Sequence, residues 1–313
     1  MTMRKRLVPV VSVAATVLLL AACAAETTTT SSSAPAPSAA APSAAAPSAA
    51  APSAAPSGPA QATDECAREN LTTVGADTLT IGTDTPAYPP YFSDDDPSNG
   101  QGFEAAVAYA VADGLGFTPN EVTWQVVPFN TSYAPGDKAF DFDINQISIT
   151  PKRQKVVDFS DGYYTVNQAV VALKDSPIAN ATSLAELKNA NLGAQVGTTS
   201  LDFINAVVQP NNDVQVFNDT NDAKSAMQNG QIDGLVVDLP TAYYITAVEI
   251  PKGKIVGQFN AEAGGEQFGI LFQKGNPLVT CVNRVLADLS ASGELQAIQD
   301  EWMAGTTAPY FTQ

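Results

Sequence analysis

Apolar and polar residues alternate in short runs over most of residues 78–303, and the runs switch repeatedly between strand and helix spacing. Residues 142–149 alternate in the manner of a half-buried strand. Residues 102–116 have the spacing of an amphipathic helix that ends at glycine. This alternation predicts α/β units with largely parallel sheets. Further strands are predicted at 78–83, 122–127, 168–173, 192–195, 214–217 and 234–237, and further helices at 183–188, 199–208, 222–229, 277–290 and 293–303.

The N-terminal segment follows neither spacing. Residues 1–6 are basic, residues 7–20 are mostly apolar, and small residues precede Cys23, a pattern that predicts a signal peptide over residues 1–22. The apolar run is too short for a membrane span. The residues before Cys23 resemble the lipobox of bacterial lipoproteins, which implies lipidation of Cys23. The alternative is ordinary secretion with a free thiol at this position.

A low-complexity segment follows the signal peptide. Ala-Pro-Ser-Ala-Ala recurs there, with a proline at every fifth position from 37 to 52. Such a sequence can bury no core, and its prolines exclude a helix. We therefore expect residues 23–63 to form a disordered, lipid-anchored linker that carries a globular domain.

Charge and composition exclude several classes of function. The chain of 313 residues has a formal net charge of −17 and no histidine. Removing the signal peptide leaves 12 basic and 32 acidic residues, a net charge of −20. Such a surface repels nucleic acid. Without histidine the chain lacks the commonest general base and zinc ligand, so we expect no catalytic residue, metal, cofactor or nucleic-acid partner.

Cys66 and Cys281 are the two thiols that remain if Cys23 carries lipid. In an oxidising compartment we expect a disulfide between them. The alternative is a pair of free thiols.

The end of the strand at 142–149 carries candidate binding residues. This strand would deliver Gln146 and Ser148 to its end, where a proline begins a helical turn that returns Arg153 over them. A planar guanidinium beside hydroxyl groups suits a carboxylate held by two hydrogen bonds. The alternative is a surface ion pair of Arg153 with Asp158 or Asp161.

A second candidate region follows the first strand. Asp84 comes directly after that strand, and Tyr88, Tyr91 and Phe92 follow it closely. A carboxylate with aromatic neighbours suits an amphipathic ligand. The alternatives are a turn or capping role for Asp84 and core packing for the aromatic residues.

The runs S-I-T-P-K-R and V-D-F-S-D-G-Y-Y resemble the family 3 solute-binding proteins, the periplasmic amino-acid-binding proteins of ABC transporters. The resemblance spans about residues 79–302. It implies a two-lobed periplasmic-binding-protein fold of type II, an α/β fold with two hinge strands, here 170–173 and 268–272, and a cleft between the lobes. Lobe one would comprise residues 64–170 and 270–313, and lobe two residues 171–269.

The resemblance also assigns roles in the cleft. Phe129 would lie against the ligand, with Asp84 and Tyr88 near its side chain. Gln146 and Ser148 would hydrogen-bond its backbone end, although the family often has a small hydroxyl residue where this chain has Gln146. The remaining contacts would be a carboxylate clamp from Arg153, an anion contact from Thr198 and Thr199, and an ammonium contact from Asp238.

Simple capping offers an alternative for two of these residues, because Thr198 and Asp238 each precede a predicted helix. If they bind ligand instead, the site is complementary to a zwitterion. The acidic residues at the site favour a polar or basic amino acid over an acidic one.

The leading hypothesis is a monomeric lipoprotein on the extracytoplasmic face of the cell membrane that delivers an amino acid to an ABC permease. A second hypothesis is an enzyme on the same fold, similar to the cyclohexadienyl or arogenate dehydratases. A third is a ligand-sensing partner of a signalling protein. The lack of a kinase region in this sequence argues against this hypothesis.

Overall fold

The computed structural model describes residues 64–259, 265–303, 305 and 307–312. The predictions for the signal peptide, Cys23 and the linker lie outside these residues. The described residues belong to one compact unit, residues 60–313. None of the helices described is long and apolar enough to cross a membrane.

Within the part of the chain that the structure describes, ten strands form two five-stranded sheets. In chain order the strands are β1 (Leu79–Thr83), β2 (Val122–Val126), β3 (Phe142–Asp143), β4 (Val157–Val166), β5 (Gln168–Leu173), β6 (Leu192–Gln195), β7 (Gln215–Phe217), β8 (Gly234–Asp238), β9 (Gly253–Gln258) and β10 (Glu266–Gln273).

The helices pack around these sheets. The α-helices are α1 (Phe103–Gly114), α2 (Phe129–Ser132), α3 (Thr199–Phe203), α4 (Thr220–Gln228), α5 (Leu239–Tyr244), α6 (Leu278–Ser292) and α7 (Glu294–Trp302). Helices α3 and α5 continue as π-helical turns, Ile204–Val208 and Ile245–Glu249. Short 3-10 helices occupy Arg68–Asn70, Pro97–Asn99, Pro119–Glu121, Arg153–Lys155 and Leu184–Leu187.

Both sheets have the same plan. The first has the order β2-β1-β3-β10-β4, with β1 parallel to β2 and β3, and β10 antiparallel to β3 and β4. The second has the order β7-β6-β8-β5-β9, with β6 parallel to β7 and β8, and β5 antiparallel to β8 and β9. We call the part built on the first sheet the first lobe, and the part built on the second sheet the second lobe. The predicted two-lobed α/β fold is confirmed.

Apolar side chains fill the first lobe between its sheet and helices α1, α6 and α7. Val107 and Val111 of α1 are fully buried, as is Val282 of α6. The predicted disulfide is confirmed, because Cys66 and Cys281 are bonded in this structure. It ties the start of the folded chain to α6.

The chain passes from the first sheet to the second at Asn167, between the end of β4 and the start of β5. It returns between Gln258 of β9 and Glu266 of β10. The sequence placed the hinges at 170–173 and 268–272, which lie inside β5 and β10. Those residues are paired in the ladders of one sheet each, and the lobe boundaries stay a prediction.

The last described residues pack on the second lobe, although the sequence assigned all of 270–313 to the first. Tyr310 bridges to Gln258, and Phe311 is buried with its ring centroid 5.1 Å from that of Phe259. Burial of an aromatic ring in the second core determines where this segment lies.

The strand predicted at 142–149 is much shorter in the structure and covers only Phe142–Asp143. Gln146 has a φ of 47°, which no regular strand accommodates. Its backbone N–H leaves the ladder and donates to the Glu104 carboxylate at 2.7 Å. Residues 142–145, 147 and 148 are all buried, so burial does not follow the alternation of the sequence, and this contact with α1 interrupts the pairing of the segment.

Candidate functional site

A cavity lies between the lobes, at the carboxyl ends of β1, β6 and β8, as expected for open α/β sheets. It has a free volume of about 820 Å³, counting the part that opens to solvent. Its wall includes seven of the predicted residues: Asp84, Tyr88, Phe129, Gln146, Thr198, Thr199 and Asp238. Ser148 and Arg153 are buried and do not line this cavity, and Arg153 borders a second pocket with Tyr133 and Gly197.

Asp84 is both part of the cavity wall and a structural acceptor. Its carboxylate accepts from the backbone N–H of Thr85 at 2.7 Å and of Phe129 at 3.0 Å. The second bond positions the start of α2 and therefore the Phe129 ring. Asp84 therefore has the predicted turn role, and through this role it places the Phe129 ring in the cavity.

The aromatic residues after Asp84 have different roles. Tyr88 lines the cavity, whereas Tyr91 and Phe92 are fully buried in the core of the first lobe. For these two the core-packing alternative is confirmed. Tyr91 still reaches the second lobe, since its hydroxyl lies 3.3 Å from that of Thr241.

Gln146 is held by a buried carboxyl group. Its backbone N–H and side-chain amide both donate to Glu104 of α1, and so does the hydroxyl of Tyr163. Burial raises the pKa of Glu104 to about 7, although these hydrogen bonds act in the opposite direction. Glu104 therefore fixes the loop that presents Gln146 to the cavity.

Arg153 is buried and joins the two lobes. Its Nη1 donates to the Ser148 carbonyl at 2.7 Å and its Nη2 to the Gly197 carbonyl at 2.9 Å. The guanidinium lies 4.8 Å from the centroid of the Tyr133 ring and 5.5 Å from that of Phe129, distances typical of cation–π contacts. Burial lowers the pKa of Arg153, opposed by nearby negative groups.

The predicted alternative for Arg153, a surface ion pair, is wrong. Asp158 pairs with Lys274 instead, at 2.6 Å. The Asp161 backbone N–H donates to the side-chain oxygen of Asn283 in α6 at 2.8 Å.

A carboxylate of the protein itself occupies the predicted carboxylate contacts. The hydroxyl groups of Ser148 and Thr199 both donate to Oε1 of Glu266, at the start of β10. These residues come from different lobes, so Glu266 connects them. Sequence reasoning missed Glu266, because a glutamate before an apolar strand gives no sign of its partners.

Gln168, the first residue of β5, connects Glu266 to Asp238. Its side-chain amide donates to the Asp238 carboxylate at 2.6 Å and to Glu266 at 3.0 Å, and its oxygen accepts from Ser200 at 2.6 Å. Gln168 is itself buried. This amide, also missed at the sequence level, lies between two carboxylates that would otherwise repel each other.

The Asp238 carboxylate is a hydrogen-bond acceptor at the end of β8. Its side chain makes no capping bond to α5, so the predicted capping alternative is wrong here. Burial and the nearby Glu266 charge raise the pKa of Asp238 well above its usual range. A cation beside Asp238 would relieve both effects.

Thr198 does act as a cap. Its hydroxyl accepts from the Leu201 N–H at 3.2 Å and donates to the Gln195 carbonyl at 2.8 Å. The capping alternative for Thr198 is therefore confirmed, and the side chain also lines the cavity.

An ion pair in the cavity was missed. Lys224 of α4 is 7% exposed and lines the cavity with Glu249. Its Nζ lies 2.7 Å from both carboxylate oxygens of Glu249 and 5.0 Å from the centroid of the Tyr88 ring. Among the site positions that carry the family resemblance, Arg153 is the one basic residue. Lys224 lies outside those positions, in a polar helix typical of a solvated surface.

The described residues contain no group of three or more cysteine, aspartate or glutamate side chains arranged to hold a metal ion. The chemistry of the cavity is therefore that of hydroxyl groups, amides, carboxylates, one lysine and aromatic rings. Such a set can bind a charged or dipolar small molecule by hydrogen bonds and ion pairs.

Residues 79–305 match the family described as bacterial extracellular solute-binding proteins, family 3. The chain is 28% identical over 235 residues to the arginine-binding extracellular protein ArtP of Bacillus subtilis (strain 168), covering 74% of this chain and 88% of that protein. It is 27% identical over 227 residues to the L-cystine-binding protein TcyJ of Escherichia coli (strain K12), covering 72% and 82%.

The fold is also similar to that of solved structures. A solved structure described as an ancestral arginine-binding protein bound to glutamine superposes with a TM-score of 0.62 at 30% identity, covering 73% of this chain and 98% of that one.

Proposed function

Because the chain belongs to the bacterial extracellular solute-binding proteins, family 3, we propose that it is the substrate-binding lipoprotein of an ABC importer. It binds a polar or basic amino acid by closure of its cleft and delivers it to a membrane permease. The relatives described above are named for binding arginine and cystine, and one solved structure for binding glutamine.

The observation that carries this proposal is the arrangement of opposite charges across the cavity wall. Asp238 offers a carboxylate to an ammonium group. The hydroxyl groups of Ser148 and Thr199, with the Arg153 guanidinium behind them, offer donors to a carboxylate. An α-amino acid has both groups on one carbon, so both can be paired when water is excluded.

Closure of the cleft is expected because these groups come from different lobes. Ser148 and Arg153 belong to the first lobe, and Thr199 and Asp238 to the second. A ligand that contacts all four has its full set of partners only when the lobes are together. This difference in contacts lets the ligand favour the closed state.

Binding of the ligand also involves displacement of the Glu266 carboxylate. Its carboxylate accepts the two hydroxyl hydrogen bonds that the ligand carboxylate requires. The ligand carboxylate therefore replaces Glu266 at these hydroxyl groups, and the two like charges cannot share them without a large cost.

The class of ligand follows from the other charges of the wall. Asp84, Asp238 and Glu249 outnumber Lys224 among the cavity residues. A ligand with an additional carboxylate adds to this excess of negative charge, whereas a polar or basic side chain does not. Tyr88 and Phe129 can cover its apolar part.

The anchor and the location are part of the same proposal. Lipid on Cys23 would hold the protein, as a monomer, at the extracytoplasmic face of the membrane, near its permease. The linker of residues 23–63 would let the domain reach that partner.

Calorimetry and thermal shift with the twenty standard amino acids and L-cystine test the proposal. We expect at least one polar or basic amino acid to raise the melting temperature and to bind with micromolar or tighter affinity. If no amino acid binds, the proposed function is wrong. Conversion of prephenate or arogenate, followed by ultraviolet absorbance, would instead support the enzyme hypothesis.

A further inference from the structure

The Lys224–Glu249 ion pair gives one end of the cavity a chemistry that the amino-acid head group does not use. Lys224 comes from α4 and Glu249 from the π-helical end of the segment that begins with α5. Both side chains face the cavity. Since Asp238 directly precedes α5, Asp238 and Glu249 lie eleven residues apart on one helical segment, about 16 Å along the axis at the rise of an α-helix. The ion pair therefore lies well away from the ammonium contact at Asp238.

The pair is shielded from solvent. The side chain of Lys224 is 9% exposed and that of Glu249 is 26% exposed. Tyr88, from the first lobe, has its ring centroid 5.0 Å from the Lys224 Nζ. In such surroundings each charge depends on the other, and removing one partner leaves a costly unpaired charge.

The pair still has hydrogen-bonding capacity. Two N–H groups of Lys224 are directed at the two oxygens of Glu249, which leaves one donor on the ammonium. The carboxylate can accept further bonds at its remaining lone pairs. Asp84, another acid of the cavity wall, already accepts two backbone N–H groups, and Asp219, which caps α4, accepts the Asp222 N–H. The ion pair therefore offers one donor and one acceptor side by side.

Each kind of ligand terminus meets this pair differently. A cationic terminus must compete with Lys224 for Glu249 and is repelled by the ammonium. An anionic terminus must compete with Glu249 for Lys224 and is repelled by the carboxylate. A terminus without net charge that both donates and accepts can bond to both residues and leave their ion pair intact.

We propose that Lys224 and Glu249 determine specificity by selecting a ligand whose far end is dipolar without net charge. A carboxamide and a second amino-acid head group are two termini with this chemistry. The inference rests on the proposed function and narrows its class of ligand.

Calorimetry with L-glutamine, L-cystine, L-arginine and L-glutamate tests the inference on the wild-type protein. We expect glutamine or cystine to bind at least tenfold more tightly than arginine and glutamate. Glutamine as the tightest ligand identifies the carboxamide, and cystine the second head group. Arginine or glutamate binding as tightly as both dipolar ligands would overturn the inference.

Single variants then change the selection in opposite directions. Lys224→Met leaves the Glu249 carboxylate without its partner and should shift the ratio of the affinity for arginine to that for the dipolar ligands in favour of arginine by at least tenfold. Glu249→Gln leaves the Lys224 ammonium without its partner and should shift the corresponding ratio in favour of glutamate. Lys252→Met, an exposed lysine outside the cavity, is the matched control and should leave the ratios unchanged.

A double variant, Lys224→Met with Glu249→Gln, keeps the pair neutral if a single variant does not fold. It should bring the affinities for the dipolar, cationic and anionic ligands closer together. Unchanged ratios in the folded variants would overturn the inference while amino-acid binding itself persists. If none of the four ligands nor any standard amino acid binds the wild-type protein, the proposed function fails as well.

Discussion

The guanidinium of Arg153 donates to the carbonyl oxygen of Gly197 across 2.9 Å, and this bond joins the first lobe to the second. The other terminal nitrogen donates to the Ser148 carbonyl. A guanidinium has five N–H donors, so these bonds leave donors for a ligand carboxylate. In the proposed function, Arg153 would therefore join the two lobes and attract the ligand carboxylate at the same time.

Replacement of Arg153 by alanine should weaken ligand binding by about 2 to 5 kcal/mol, because a buried charge partner and a contact between the lobes are lost together. Calorimetry with the tightest ligand measures the change. Lys155→Ala is the matched control, since Lys155 is exposed on the same 3-10 turn. Equal affinity of the Arg153 variant and the wild type would show that Arg153 has no part in binding.

Glu266→Gln should strengthen ligand binding by about tenfold, or ~1.4 kcal/mol. The ligand carboxylate would then displace a neutral amide from Ser148 and Thr199 in place of a carboxylate. Calorimetry at neutral pH measures the change, with Glu301→Gln on the exposed surface of α7 as the control. Weaker binding by Glu266→Gln would indicate that Glu266 contacts the ligand ammonium instead.

The stability of the protein should decrease as the pH rises from about 4.5 to about 7. Burial raises the pKa of Glu104 to about 7, from 4.5, so in this window the folded state binds more protons than the unfolded state. The loss from Glu104 is on the order of 3 kcal/mol. Burial also raises the pKa of Asp143 and of Asp238, and these shifts change the stability with pH in the same direction as that of Glu104.

Urea unfolding between pH 5 and 8 measures this dependence. Glu104→Gln cannot ionise and should flatten the slope of the unfolding free energy with pH. An identical slope in the variant and the wild type would show that Glu104 is not the source.

Removal of the disulfide by changing both Cys66 and Cys281 to alanine should lower the unfolding free energy by about 2 to 5 kcal/mol. The bond joins residues 215 positions apart and restricts the unfolded chain. Ligand affinity should change little, since neither cysteine lines the cavity. Thermal unfolding and calorimetry check the two expectations, and the wild type with a reducing agent provides the comparison. An unchanged melting temperature would contradict the stabilising role.

Cys23→Ala should release the protein into the medium and leave its signal peptide unprocessed or misprocessed. The small residues before Cys23 are the reason for this expectation. Radiolabelled palmitate should be incorporated into the wild type and not into the variant. Absence of label from the wild type would contradict lipidation.

Local pattern determined the elements of the fold and part of the site. The spacing of apolar residues predicted the helix found at Phe103–Gly114 and the strand found at Gln168–Leu173. Asp84 and Asp238 could be placed at the cavity because each directly follows or ends a strand. These features depend on residues close together in the chain, which is why the sequence alone reveals them.

Only the tertiary structure decided which charges meet in the cavity. Glu266 accepts from Ser148, 118 residues earlier, and Lys224 pairs with Glu249 from a different helical segment. Hydrophobic periodicity does not encode such pairings, since they depend on how two lobes and several loops are brought together. The same cause shortened the strand at Phe142–Asp143, where a contact between Gln146 and Glu104 of α1 outweighed the local alternation.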